Sequence, residues 1–299
     1  MQKGKIRFSR QVVLALLVAL ASADALAQRA KSNWIAVDNS TRIHVIDAGP
    51  HAESPVLVLI PGWRFSADIW KPQIDNFATT RRVVAIDPRS QGESTKTTEG
   101  DTPEVRAQDL RHLIVRLGLS QVVLVGWSQG VQDVAAYVDQ FGEDKIAGLV
   151  FVDATVSAGA QELQLHPQIS QLILGMAGSL ASNPEVFSKE FVPQMFKKPQ
   201  DPVFLQKLVR DSLKTPTSTA ISMLITDTFT VDRRPVLKKI TRPTLLICTK
   251  DNTLPDARAE MQARIAKSRV VLMEGVGHAL FVDDPAKFNE IVDEFLKTL

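Results

Sequence analysis

Short apolar runs rich in valine and isoleucine alternate with longer amphipathic stretches along this chain, and that alternation limits what it can fold into. The runs are WIAVD, RIHVIDAG, PVLVLIPG, RVVAIDPR, QVVLVGW, IAGLVFVDA, TLLICTKD and RVVLMEG, eight in all. Runs this short, bounded by glycine, proline or aspartate, suit strands, and the stretches between them suit crossover helices. The first two sit close together across Asn39, Ser40 and Thr41, which predicts an antiparallel hairpin. The later runs are spaced for helical crossovers. The expected architecture is an eight-stranded, mostly parallel sheet covered by helices on both faces.

More than eighty residues between Thr155 and Arg242 carry no further run of this kind. Their periodicity is helical in QISQLILGMAGSL, DPVFLQKLVRDSL and TAISMLITDTF, with Pro184, Pro193 and Pro199 between the first two segments and Pro202 at the start of the second. This predicts a helical lid over residues 156–240, inserted after the sixth strand. It divides the core into a first part, 28–155, and a second, 241–299.

The first ten residues carry four basic side chains, an apolar stretch follows, and Ala25 and Ala27 stand where a signal peptidase would cut before Gln28. Residues 1–27 therefore read as a secretory signal peptide, and the mature chain as exported to the periplasm or the medium. The apolar stretch is shorter than the roughly 20 residues of a membrane span and is interrupted by Asp24, so no stable membrane anchor is expected after cleavage. Removing the leader's net +3 turns the formal charge of +2 into −1, and no basic cluster remains to suggest a nucleic-acid partner. The single cysteine, Cys248, ends an apolar run and reads as a small buried hydrophobe. With 44% hydrophobic residues, the chain must be held by its core.

Within LVGWSQGVQD, Ser128 lies between a buried strand and a helix whose Val131, Val134, Ala135 and Val138 share one face. A sharp G-x-S-x-G turn needs glycine at positions 126 and 130, because a side chain there would collide with its neighbours. Such a turn projects the serine hydroxyl outward and sets the Gln129 N–H at a helix N-terminus, where it can stabilise an oxyanion. A serine hydroxyl needs a base, and the base needs an orienting carboxylate. His278 follows the last strand in a loop of small residues, at the sheet edge where sites of open parallel sheets gather. His44, His51, His112 and His166 read as surface or core residues. For the carboxylate, Asp251 follows the seventh strand, 27 residues before His278, and is the expected acid, with Asp153 after the sixth strand as its competitor.

The order Ser128, Asp251, His278, with the elbow after the fifth strand, resembles the α/β-hydrolase superfamily. The likeness runs from IHVIDAGP through LVLIPGW, VVAIDPRSQGEST, LVGWSQG, LVFVDA and PTLLICTKDN to GVGHALFVDDP. It implies an α/β-hydrolase fold and assigns a second oxyanion N–H to Trp63. Three departures stand out: Pro61-Gly62 replaces the common His-Gly pair, Val131 replaces a third glycine, and the seventh strand ends in Cys248-Thr249. Asp87 and Arg89 match a loop whose acid and arginine organise turns. The resemblance implies acyl transfer on a small-molecule carboxylic ester, and the methionines, leucines and phenylalanines of the insertion suggest an apolar acyl or alcohol pocket. Cofactor-free perhydrolase or haloperoxidase chemistry is the alternative, and a non-catalytic ligand-binding protein is the reading from another class. No dinucleotide fingerprint, phosphate loop or metal-ligand spacing is present, so no cofactor and no metal are expected.

Overall fold

The computed structural model describes residues 30–51, 55–251 and 255–299, so the expected signal peptide lies outside the described residues. The eight runs form eight strands: β1 (Lys31–Ala36), β2 (Arg42–Ala48), β3 (Val56–Ile60), β4 (Val83–Ile86), β5 (Val122–Trp127), β6 (Ile146–Val152), β7 (Thr244–Thr249) and β8 (Ser268–Met273). They make one sheet in the order β1-β2-β4-β3-β5-β6-β7-β8. β1 and β2 pair as an antiparallel hairpin, and β2 runs antiparallel to β4. All the other neighbours are parallel, as crossover helices require.

Strands β3 to β7 are buried along their whole length, which is why they read as unbroken apolar runs instead of alternating patterns. On one face they pack against α1 (Lys71–Phe77) and two C-terminal helices, Leu280–Asp283 and Pro285–Leu296, around Trp70, Phe281 and Phe288. On the other face they pack against α2 (Pro103–Arg116), α3 (Gln129–Phe141) and the helix Pro255–Arg264. Among the described residues no helix is long and apolar enough to cross a membrane.

Between β6 and β7 lie α4 (Gly159–Leu163), α5 (Pro167–Ser182), α6 (Pro184–Phe191), α7 (Pro202–Ser212) and α8 (Thr217–Phe229). Proline in the first turn of α5, α6 and α7 starts each helix without the loss of an internal hydrogen bond. Asn183 and Asp201 cap α6 and α7 through their side chains. This helical segment has its own small core, in which Ala177, Leu180, Phe187, Ala220, Met223 and Leu224 close over Trp63 of the sheet edge.

Two glycines with opposite surroundings test this packing. A Cβ on Gly130 would stand 2.7 Å from the Ile60 carbonyl oxygen, whereas one on Gly175, inside α5, would meet nothing within 4 Å. Gly130→Ala should cost about 1–3 kcal/mol through overpacking. Gly175→Ala should be neutral or stabilising by about 0.5–1 kcal/mol. Urea denaturation of the two variants checks the contrast, and equal effects would contradict it.

Candidate active site

Ser128 sits on the turn from β5 into α3 with φ 54° and ψ −119°. A left-handed φ at a non-glycine residue costs about 1–3 kcal/mol and persists only where the surroundings enforce it. Here they do. A Cβ on Gly126 would lie 2.4 Å from the Gly130 carbonyl oxygen, so the chain can double back only with glycine at position 126. The Ser128 N–H donates to the Val152 carbonyl at 3.2 Å, and its own carbonyl accepts from the Val131 N–H at 3.0 Å. The Gln129 N–H is then the first donor of α3, and no carbonyl within the helix can take it.

Ser128, Gln129, Trp63, Asp153 and His278 line one cavity of about 730 Å3. Trp63 follows β3, next to Gly62, whose missing side chain lets the loop lie against Ser128: a Cβ there would be 2.9 Å from the serine Cβ. The indole N–H of Trp63 donates to the Ala220 carbonyl of α8 at 2.9 Å. His278 follows β8 and is held by its carbonyl, which accepts from the Trp127 indole N–H at 2.9 Å.

The structure corrects the expected acid. Asp251 does not reach His278: its side chain is 71% exposed and pairs with the Lys197 ammonium at 2.8 Å. That partner holds its carboxyl below the ordinary range. Asp153 lies instead 2.8 Å from His278 Nδ1, buried, with its second oxygen accepting the Thr249 N–H at 2.9 Å. Both aspartates follow a parallel strand at the same sheet edge, and so both were open from sequence. β6 neighbours β5, however, and β7 lies one strand further out, so Asp153 stands closer to the serine. One signal could have separated them: Asp153 continues an apolar run into alanine, whereas Asp251 sits between Lys250 and Asn252. A carboxylate on Nδ1 places the ring proton there and leaves Nε2 as the acceptor.

Sequence reasoning did not find the buried ion cluster beneath the turn. Arg106 of α2 donates to Asp133 of α3 at 2.9 Å and to Asp227 of α8 at 2.6 Å. The Gln129 side-chain amide also donates to Asp227, and Arg233 donates to the Asp227 carbonyl at 3.3 Å. The helical segment between β6 and β7 thus grips the residue that follows the serine. Asp87 accepts the N–H groups of Ala67 and Glu93 and pairs with His44, and Arg89 binds Asp109 through two 2.7 Å hydrogen bonds, so both organise loops. Burial pushes the Cys248 thiol up to about 12, which leaves it protonated and inert. Among the described residues no group of three histidine, cysteine or carboxylate side chains could hold a metal ion.

The chain matches the alpha/beta hydrolase family over residues 57–291. It belongs to that family. A bifunctional esterase/perhydrolase of Acinetobacter calcoaceticus is 33% identical over 122 residues, which cover 40% of this chain and 44% of its own. The crystal structure of a bromoperoxidase from Bacillus anthracis matches with a TM-score of 0.80 at 25% identity, covering 89% of this chain and 100% of that one. An esterase from Exiguobacterium antarcticum matches at 0.79 and 24% identity, with the same shares covered. Family membership and the esterase/perhydrolase relative support a hydrolytic role.

Two predictions come from this geometry. Asp153→Asn should lower kcat by several orders of magnitude, on the order of 10⁴ by analogy with the same change in a serine protease, because the amide favours the wrong histidine tautomer. Asp251→Asn should retain most turnover; steady-state rates on a nitrophenyl ester compare the two, and the reverse ranking would restore Asp251 as the acid. The second concerns Asp133, whose carboxyl burial raises from 3.8 to about 7 against the pull of Arg106. The folded chain keeps this proton to a higher pH than the unfolded chain does, so folding stability falls as pH rises from about 4 through about 7. Urea midpoints across that range should decline less steeply in Asp133→Asn than in the wild type, and an unchanged slope would place the dependence elsewhere, on Asp101, Asp109 or Asp227.

Proposed function

We propose that this chain is an exported serine esterase acting on carboxylic esters with apolar groups. The observation that carries the reading is a strained serine in the wall of a cavity shared with a histidine whose Nδ1 pairs with a buried aspartate. In this reading His278 Nε2 takes the proton from Ser128 Oγ as the oxygen attacks the ester carbonyl. The negative charge then falls on the carbonyl oxygen, opposite the N–H groups of Gln129 and Trp63. Losing one such donor costs about 2.7–4 kcal/mol of barrier in comparable enzymes.

Collapse of the intermediate returns the proton from His278 to the leaving alcohol and leaves an acyl group on Ser128. Water, deprotonated by the same nitrogen, then releases the acid. Asp153 stabilises the imidazolium that forms at each step. The cavity walls favour apolar substituents, since Trp63, Phe65, Ile173, Met176, Phe191 and Leu224 line them. The helices of residues 156–240 serve as the lid, and the leader of residues 1–27 directs export.

Peracid formation is the second reading, favoured by the relative that carries both esterase and perhydrolase in its name. It uses the same acyl-enzyme, with hydrogen peroxide in place of water. Ser128→Ala should abolish nitrophenyl butyrate turnover and labelling by an organophosphonate while circular dichroism stays that of the wild type. Retained turnover or stoichiometric labelling would refute the serine assignment. A peracid assay beside it ranks the two acceptors.

A further inference from the structure

A second cavity, of about 560 Å3, adjoins the first. The two share Gln132 of α3, Thr155 after β6 and Thr228 of α8 in their walls, so these three residues stand on the boundary between them. Inside, the second cavity is lined by Val156, Leu163, Leu237 and Met261, all buried. Its other end is wet: His166, Gln168 and Asp256 are exposed there. The charged groups around it are mostly paired, Arg234 with Asp232 and Glu162, and Glu260 with Arg264.

We propose that this cavity is a binding subsite for an extended apolar arm of the ester whose carbonyl sits at Ser128. The proposal rests on the serine-esterase reading and adds the substrate class: esters with one medium to long aliphatic arm, in preference to short or compact ones. Three observations point to a substrate arm. The chamber shares three wall residues with the cavity of the reaction site. Its volume lies within the roughly 300–1,000 Å3 of small-molecule pockets. Buried aliphatic side chains line its inner part, which therefore favours methylene groups, while Glu162, Arg234 and Glu260 of its wall are engaged in ion pairs and His166 and Asp256 stand at the exposed end. An arm passing between Gln132, Thr155 and Thr228 would cover apolar surface that a short ester leaves uncovered, and its tip would reach the exposed end.

The test fills the chamber away from the serine. Ala257 lines only the second cavity, from the helix Pro255–Arg264, and Ile169 of α5 lines it from the opposite, lid side. Ala257→Trp and, as an independent second variant, Ile169→Trp are assayed on nitrophenyl decanoate against nitrophenyl acetate, and on decyl acetate against ethyl acetate. In one of the two series the ratio of long to short kcat/KM should drop roughly tenfold, the loss expected when about two methylenes are no longer buried. Binding decides without turnover: decanoic acid and decanol are titrated calorimetrically into Ser128→Ala protein with and without each tryptophan. The ligand matching the affected arm should bind roughly tenfold more weakly to the filled proteins. Unchanged ratios in both series together with unchanged affinities would overturn the subsite. Absence of ester turnover in the wild type would overturn the esterase reading instead, and the titrations would still decide whether the chamber takes an aliphatic arm.

Discussion

The left-handed turn at Ser128 is the constraint on which the rest of the structure depends. It stores strain, and it is kept because β5 is locked between β3 and β6 while α3 begins at once. Gly126 lets Gly130 approach, Gly130 lets Ile60 approach, and Gly62 lets the loop after β3 lie on the serine. Three strand ends therefore converge within one side chain of each other. The end of β6 supplies Val152, which accepts the Ser128 N–H, and then Asp153 directly after it. Packing of backbone on backbone, more than any polar contact, brings the candidate nucleophile, oxyanion donors and acid together.

The same compactness forces charge into the interior. Arg106 is fully enclosed, and although burial disfavours its charge, Asp133 and Asp227 more than offset this and hold it protonated. Burial nonetheless raises both carboxyls against the pull of the guanidinium. Arg64 is the contrary case, a buried guanidinium beside Trp63 with φ 64°. One nitrogen donates to Ser188 at 2.8 Å, while Nε and Nη1 have no hydrogen-bond partner among the described residues. The rings of Trp63 and Phe187 lie 5.4 Å and 5.6 Å from its central carbon, so aromatic faces take the place of a carboxylate. Burial without an anion lowers its pKa to about 10, which still leaves it charged near neutrality.

How much of this was legible from sequence follows from how local each feature is. The strands were legible because each is a self-contained apolar run, and the hairpin because its two strands adjoin in sequence. The elbow was legible because its glycines flank Ser128 within five residues. The acid was not, because choosing between Asp153 and Asp251 requires knowing which strand lies beside β5, a property of sheet order. Nor was the Arg106 cluster: Arg106, Asp133 and Asp227 belong to α2, α3 and α8, and each reads alone as an ordinary charge on an amphipathic helix. Nothing in the order of residues says that the three faces meet.

Each loop of the candidate site faces the cavity and also grips the helical segment between β6 and β7 or the chain just beyond it. Trp63 reaches the Ala220 carbonyl of α8 with its indole N–H. Gln129 reaches Asp227 of the same helix with its side-chain amide. In the loop of His278, the Gly277 N–H donates to Asp283 at 2.7 Å, and that carboxylate also takes the Lys197 N–H at 2.7 Å from the stretch joining α6 to α7. These anchors tie the position of the helices to the aim of the candidate oxyanion donors and the imidazole. Catalytic geometry tolerates displacements of well under an ångström. A substitution that reshapes the helical segment to admit a different substrate must therefore shift those groups as well, and such variants should change kcat together with KM, where a passive cover would change KM alone.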